Sequence, residues 1–253
     1  MPQPIVVVMI KAPRAGKVKT RLVPPLSESD AASLAACFAQ DSALNAQRVV
    51  RNVLVAYAPA GARVDLEAIL PADLLWFEQD GANLGERLDS VAEHVFSLGF
   101  SPFIILGADS PTLPPSFIQK ALNVLSSGEA DISLGPTEDG GYYLVGLNGP
   151  VPGLFQNIDW STPSAYEQTA ANAAKLNLRL HPLPCWYDLD TPPDLTRLCE
   201  ELRSSEEARL GAPSTYRWLV DHASQLTRLY NACSRHLDHS VLSILPCLLR
   251  TVV

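Results

Sequence analysis

Residues 5–10 read Ile-Val-Val-Val-Met-Ile, an unbroken apolar run rich in β-branched side chains. An amphipathic helix or a half-exposed strand would alternate apolar and polar positions. A continuous β-branched run instead suits a strand buried on both faces, as in parallel sheets. Parallel strands need crossover connections, usually helices, so this run commits the chain to helices layered on a sheet. Directly after it comes KAPRAGKVKTRL, residues 11–22. Lys11, Arg14, Lys17, Lys19 and Arg21 are five of the 19 basic side chains in a protein of formal net charge −8. A cationic loop at the end of a first strand lies where open α/β sheets bind phosphates. A solvated basic turn, its five side chains simply exposed, is the competing reading.

The rest of the chain keeps the alternation. Val53–Tyr57, Leu74–Phe77, Phe103–Gly107, Ile132–Leu134, Tyr142–Leu147 and Leu178–Leu183 read as strands. Helices are predicted from a Ser27 or Ser29 cap to about Arg48, over Gly85–Leu98, Pro115–Leu125 and Ser164–Leu176, and from Pro193 onward with Thr191 as cap. This pattern gives a three-layer α/β sandwich with a mainly parallel, mixed sheet. Strand signal fades after about Ser204. The expected organisation is therefore one domain over residues 1–203 and a helical C-terminal extension over 204–253, packed on that domain or used as an oligomer contact.

Bulk properties exclude several classes. The acidic balance argues against nucleic-acid binding, which needs a broad basic surface. No stretch reaches the roughly 20 apolar residues of a membrane span, and the apolar stretch 241–253 is short and interrupted by Pro246. Five scattered cysteines (Cys37, Cys185, Cys199, Cys233, Cys247) show no zinc spacing and read as reduced thiols of a cytoplasmic protein. The histidines (His94, His181, His222, His236, His239) form no metal-ligand pattern and read as structural or exposed.

Three further segments carry candidate chemistry, each after a predicted strand. In Gly107-Ala108-Asp109-Ser110-Pro111, Asp109 is placed to hold Mg²⁺ or Mn²⁺ against a diphosphate, or to cap the next helix. In Glu138-Asp139-Gly140-Gly141, the glycines leave room for a flat ligand, or simply make a turn. In Asp188-Leu189-Asp190-Thr191-Pro192, two carboxylates two residues apart on an extended segment point the same way, and helix capping explains only part of the cluster. The basic loop has one glycine, Gly16, so it is neither a Walker A loop nor a dinucleotide fingerprint.

These segments, with Asn83-Leu84-Gly85-Glu86-Arg87-Leu88 and Ile158-Asp159-Trp160-Ser161-Thr162, resemble a bacterial family. It is that of the radical-SAM/selenodomain-associated transferases, also described as arsenosugar-biosynthesis glycosyltransferases. That family sits in the nucleotide-diphospho-sugar transferase superfamily with the GT-A fold. The resemblance covers about residues 4–203. The loop and the Asp-Thr-Pro segment also resemble those of 2-phospholactate and molybdenum-cofactor guanylyltransferases.

The resemblance implies an Mg²⁺- or Mn²⁺-dependent transferase using a nucleotide-activated sugar and a small-molecule acceptor. Asp109 would bind the metal with Asp190 and Asp188. Lys11, Arg14, Gly16, Lys19 and Arg21 would hold phosphates, and Gly140 and Gly141 would line the pocket. Asp139 would be the base, and Trp160, Ser161 and Thr162 would meet the acceptor. Lys19 would stabilise leaving-group charge. Nucleotidylyl transfer from an NTP such as GTP or CTP to a small phosphorylated acid or sugar phosphate is the alternative reaction. A silent nucleotide-binding module is a third reading, disfavoured by so many carboxylates at strand ends.

Overall fold

A computed structural model describes residues 2–224 of the chain. Seven strands form one sheet: β1 (Gln3–Lys11), β2 (Asn52–Ala58), β3 (Leu75–Glu78), β4 (Phe100–Gly107), β5 (Ile132–Pro136), β6 (Tyr142–Leu147) and β7 (Leu180–Pro182). Their spatial order is β3-β2-β1-β4-β6-β5-β7. β6 runs antiparallel to both neighbours, and the remaining pairs are parallel. The helices are α1 (Glu28–Val49), α2 (Arg63–Glu67), α3 (Leu84–Ser97), α4 (Pro115–Ser126), α5 (Ala165–Lys175), α6 (Pro192–Ser204), α7 (Glu206–Gly211) and α8 (Pro213–Asp221).

The first strand accounts for the layering. Val6, Val8 and Ile10 face one apolar cluster with Ala39, Ala43 and Ala46 of α1 and Ile118, Ala121 and Leu122 of α4. Ile5 and Val7 point the other way, against Leu88, Val91, Ala92 and Val95 of α3. Both faces of β1 are therefore dry, as its sequence requires. The chain builds β1, β2 and β3 outward, then crosses back to place β4 on the other side of β1. The carboxyl ends of β1 and β4 thus flank the point where strand order reverses, the usual ligand crevice of such sheets.

A third cluster ties the C-terminal helices to α1. Leu34 and Phe38 meet Leu198, Leu202, Trp218 and Leu219 there. The buried Asp41 carboxylate of α1 accepts the Ser214 and Thr215 backbone N–H groups at 2.9 and 2.8 Å, capping α8. Trp218 Nε1 donates to Ser33 Oγ at 2.8 Å.

Three elements differ from expectation. The strand predicted over 178–183 shortens to the three residues of β7. α2 and a 3₁₀ turn over Thr20–Leu22 are too short for periodicity to signal. Among the described residues no helix is long and apolar enough to cross a membrane, and Cys37, Cys185 and Cys199 are free thiols. Cys233, Cys247, His236, His239 and residues 241–253 lie outside the described residues.

Candidate functional site

A cleft of about 740 Å³ opens at the carboxyl ends of β1 and β4. Lys11, Arg14, Lys17 and Arg87 supply cations to its wall, and Asp109 and Asp188 supply carboxylates. Met9, Leu84, Leu88, Ile105 and Val145 give it an apolar floor on the α3 side. A smaller recess of about 210 Å³ continues toward α1 and is lined by Lys11, Lys17, Lys19, Ala35, Ala39, Asp109 and Asp190. The site therefore has a wide, partly apolar station under α3 and a narrow, charged station under α1.

The charged station is organised by Lys19. Its Nζ lies 2.5 Å from Asp109 Oδ1 and 2.9 Å from Asp190 Oδ1, and its side chain is 6% exposed. Burial disfavours the ammonium, but Asp109 and Asp190 together raise its pKa above the ordinary lysine value. The backbone of Lys19 is left-handed, with φ 46°, an uncommon conformation for a side chain of this size. Two anchors hold it there: Leu22, fully buried in the α1–α6 cluster, and the Leu22 N–H bond to the Lys19 carbonyl at 2.9 Å. The turn before it uses Gly16 at φ +70°.

Neither acidic residue is committed to helix capping. α4 starts at Pro115 with Pro114 as its cap residue, so Asp109 caps nothing there. Ahead of α6, Thr191 is the cap residue, and its N–H donates to Asp194 at 2.7 Å. That leaves the Asp190 carboxylate facing Lys19. The Leu189 N–H donates to the Asp109 carbonyl at 3.0 Å and splices the two acidic segments together.

Asp188 is placed differently from the other two carboxylates. Its Oδ1 accepts the Ser110 hydroxyl at 2.6 Å. Burial, reinforced by the negative charges of Asp109 and Asp139, pushes its carboxyl up to about 6, despite the Ser110 bond. Among the described residues no group of three or more His, Cys, Asp or Glu side chains is placed to hold a metal by itself. The Asp109–Asp190 pair, spanned by one ammonium, does fit a hard cation that takes its remaining ligands from phosphate and water, which is how Mg²⁺ is usually held.

The other expected site residues divide. Lys11, Arg14 and Lys17 line the cleft, and Arg14 is also paired with Asp65 of α2 at 2.8 Å. Arg21 is exposed on the 3₁₀ turn and lines neither the cleft nor the recess. Gly140 and Gly141 line neither the cleft nor the recess, and both sit in a tight turn. A Cβ on Gly140, at φ +88°, would sit 2.1 Å from the Pro163 carbonyl oxygen. The Asp139 Oδ1 closes the same turn, accepting the Thr137 hydroxyl at 2.6 Å and the Gly141 N–H at 3.0 Å. Trp160 stands edge-on to Tyr142, 6.2 Å between ring centres, and Tyr142 lines the cleft. Ser161 and Thr162 are exposed, and the Thr162 hydroxyl donates to the Asp159 carbonyl at 2.6 Å.

Arg87 and Gln79 were not singled out by residue chemistry. Arg87 Nε donates to the Gly81 carbonyl at 3.1 Å, which fixes the guanidinium at the cleft wall. Asn83 and Glu86 set the start of α3 by reciprocal bonds: Glu86 N–H to Asn83 Oδ1 at 3.1 Å, Asn83 Nδ2 to Glu86 Oε1 at 2.8 Å. That Asn-x-x-Glu cap is the signal that could have pointed to Arg87, one residue later on the first turn.

Comparison with known proteins bears on the family and the fold. The family described as uncharacterized protein conserved in bacteria (DUF2064) matches residues 41–162. A solved structure from Desulfovibrio desulfuricans G20, provisionally designated a nucleotide-diphospho-sugar transferase, is 31% identical over 90% of this chain and 99% of its own, with TM-score 0.82. CMP:2-keto-3-deoxy-manno-octonic acid synthetase complexed with CTP shares the fold at 13% identity and TM-score 0.52, over 78% of this chain and 96% of that one. A cytidylyltransferase from Leptospira borgpetersenii does so at 11% identity and TM-score 0.50, over 91% and 98%. No curated protein matches the sequence. The chain belongs to the same family as the Desulfovibrio protein, and the DUF2064 match lies within the region the two share.

Proposed function

We propose that this protein is a metal-dependent glycosyltransferase that moves a sugar from a nucleoside-diphospho-sugar to a small-molecule acceptor. One observation carries the reading. At the strand-order reversal, a cationic loop faces a carboxylate pair, Asp109 and Asp190, held together by Lys19. Phosphate oxygens would meet Lys11, Lys17 and Arg14, with arginine able to bind them bidentately. Asp109 and Asp190 would hold a divalent cation, Mg²⁺ or Mn²⁺. When bound, that ion supplies charge neutralisation of the leaving diphosphate.

The chain's own residues divide the remaining work. The loop cations stabilise negative charge as the bond from the anomeric carbon to the diphosphate oxygen breaks. The acceptor oxygen bonds that carbon, its proton passes to a carboxylate, and the nucleoside diphosphate departs. Asp139 is the candidate base, because its turn engages only Oδ1. Asp188, unlike Asp139, lines the cleft and is the other candidate. Comparing turnover of Asp139→Asn and Asp188→Asn assigns the proton. Arg87, in the first turn of α3, suits an anionic group at the wide end, and Trp160 acts there through Tyr142.

Nucleotidylyl transfer makes a different leaving group, so product assay separates the reactions. Incubation with each donor class and a panel of acceptors should release a nucleoside diphosphate from an NDP-sugar, in a metal-dependent reaction lost in Asp109→Asn. Acceptor-dependent pyrophosphate release from an NTP, with no sugar-donor turnover, would replace this reading with the nucleotidylyl one.

A further inference from the structure

We infer that Lys19 is a built-in placeholder for the divalent cation: its ammonium keeps Asp109 and Asp190 together until metal arrives with diphosphate, and it competes with metal that arrives alone. The inference deepens the proposed function and rests on that reading of the carboxylate pair.

Three observations carry it. First, the ammonium lies within hydrogen-bond distance of one oxygen on each carboxylate, 2.5 and 2.9 Å. A cation shared by Asp109 and Asp190 would need this same region. Second, the two ends of the contact differ in exposure. The Lys19 side chain is 6% exposed, whereas Asp109 and Asp190 are 55% and 44% exposed. Both carboxylates are open to solvent and line the recess, whereas the lysine is shielded, with its Nζ 5.8 Å from the centre of the Phe38 ring. Third, the lysine has somewhere to go. Lys19 and both carboxylates line the recess of about 210 Å³, which also contains Lys11 and Lys17 and leads to the main cleft. A docked diphosphate in that recess would offer the ammonium new anionic partners as the carboxylates turn to the metal.

The energetic logic is that of a site only partly available to its ligand. Metal alone must break the Lys19 contacts and leave a mostly buried ammonium without partners, a costly arrangement. Metal together with diphosphate breaks the same contacts but gives the ammonium phosphate oxygens in return. The placeholder therefore makes metal and diphosphate binding mutually dependent, and each ligand raises the other's affinity by the same factor. Lys19 is in this sense a positioning residue for the empty site and a phosphate ligand in the filled one.

The test measures Mn²⁺ binding by its electron paramagnetic resonance signal, with and without inorganic pyrophosphate as the diphosphate probe. In wild-type protein, Mn²⁺ alone should bind weakly, and pyrophosphate should tighten it. In Lys19→Met, Mn²⁺ alone should bind about tenfold or more tightly than in wild type, because the competing docked state is gone. Pyrophosphate should tighten it less than in wild type. Lys19→Gln should show the same direction, and circular dichroism should show both variants folded. In Lys19→Met/Asp109→Asn the gained Mn²⁺ affinity should vanish.

Mn²⁺ affinity that is unchanged or lower in both folded lysine variants overturns the placeholder. So does a gain that survives Asp109→Asn, since the metal then sits elsewhere. Should wild-type protein bind Mn²⁺ neither alone nor with pyrophosphate, the reading of Asp109 and Asp190 as a metal pair falls with it. Should wild type bind Mn²⁺ with pyrophosphate through Asp109 while the lysine variants show no gain, only the placeholder is lost.

Discussion

Lys19 and Arg21 stand two positions apart in one basic run and end in opposite surroundings. Lys19 turns inward to two carboxylates, and Arg21 stays in solvent on the 3₁₀ turn. Arg21→Ala should therefore change apo stability by no more than about 0.5 kcal/mol. It should also leave pyrophosphate affinity close to wild type. Lys17→Ala, which removes a charge from both the cleft and the recess, should weaken pyrophosphate binding and flatten its salt dependence. Titration calorimetry at two ionic strengths checks both. Equal losses in the two variants would mean that the loop acts only as a diffuse charge. In sequence, Lys11, Arg14, Lys19 and Arg21 read alike as phosphate ligands and Lys17 is passed over, because local sequence does not separate a buried cation from an exposed one. Which one is buried depends on Leu22, whose anchoring in the α1–α6 cluster sets the loop's path, and on acidic partners 90 and 171 positions away. Asp109 and Asp190 were legible because each follows an apolar strand or precedes a cap. The fold-serving role of Gly140 was not, because the Pro163 backbone it accommodates comes from a separate loop.

Elements whose burial is written into their own residues were readable: β1, β4 and β6 as continuous apolar runs, and α3 and α4 as one-sided stripes. β7 is shorter than expected because Leu178 and Leu183 give the predicted run apolar ends, while its position is set from outside by an ionic clamp. Arg179, just before β7, donates from Nε and Nη2 to the two oxygens of Asp131, just before β5, at 2.9 and 2.7 Å. A third bond runs from its backbone N–H to Asp131 Oδ2 at 2.9 Å. These bonds to Arg179 pull the Asp131 carboxyl down to about 2 from an ordinary value of 3.8. Because the folded value is depressed, the clamp's contribution is fully present above the unfolded carboxylate range and is lost as pH falls toward about 2. Asp131→Asn should melt below wild type near neutrality, and the two melting curves should converge as pH drops through that window. Both groups are solvent-accessible, so high salt should narrow the gap. A difference that persists unchanged at pH about 2 would show that the substitution disturbs packing and that the lost carboxylate charge is not the cause.

At the scale of the whole molecule, the cleft takes its walls from segments far apart in the chain. The basic loop leads from β1 into α1, Arg87 and Leu84 come from α3, Asp109 follows β4, and Asp188 and Asp190 precede α6. α6 is in turn packed with α1 and α8 in the third apolar cluster. A ligand bridging these walls favours the folded state over the unfolded chain, where none of them are near one another. A ligand that binds only the folded state stabilises it by about 2.7 kcal/mol at a hundred times its Kd. For a chain of this size that is a rise in Tm of roughly 5–10 °C. Mg²⁺ with a nucleoside diphosphate should give a shift of this order at saturation, and either component alone should give clearly less. In Asp109→Asn the apo Tm should hold, because that side chain is 55% exposed and its loss removes one of the two partners of Lys19 while Asp190 remains. The ligand-induced shift should then collapse. A full shift in Asp109→Asn would detach nucleotide recognition from the carboxylate pair and move it to the basic loop alone. A fall in the apo Tm with the shift preserved would make the Asp109–Lys19 contact a structural bond of the loop.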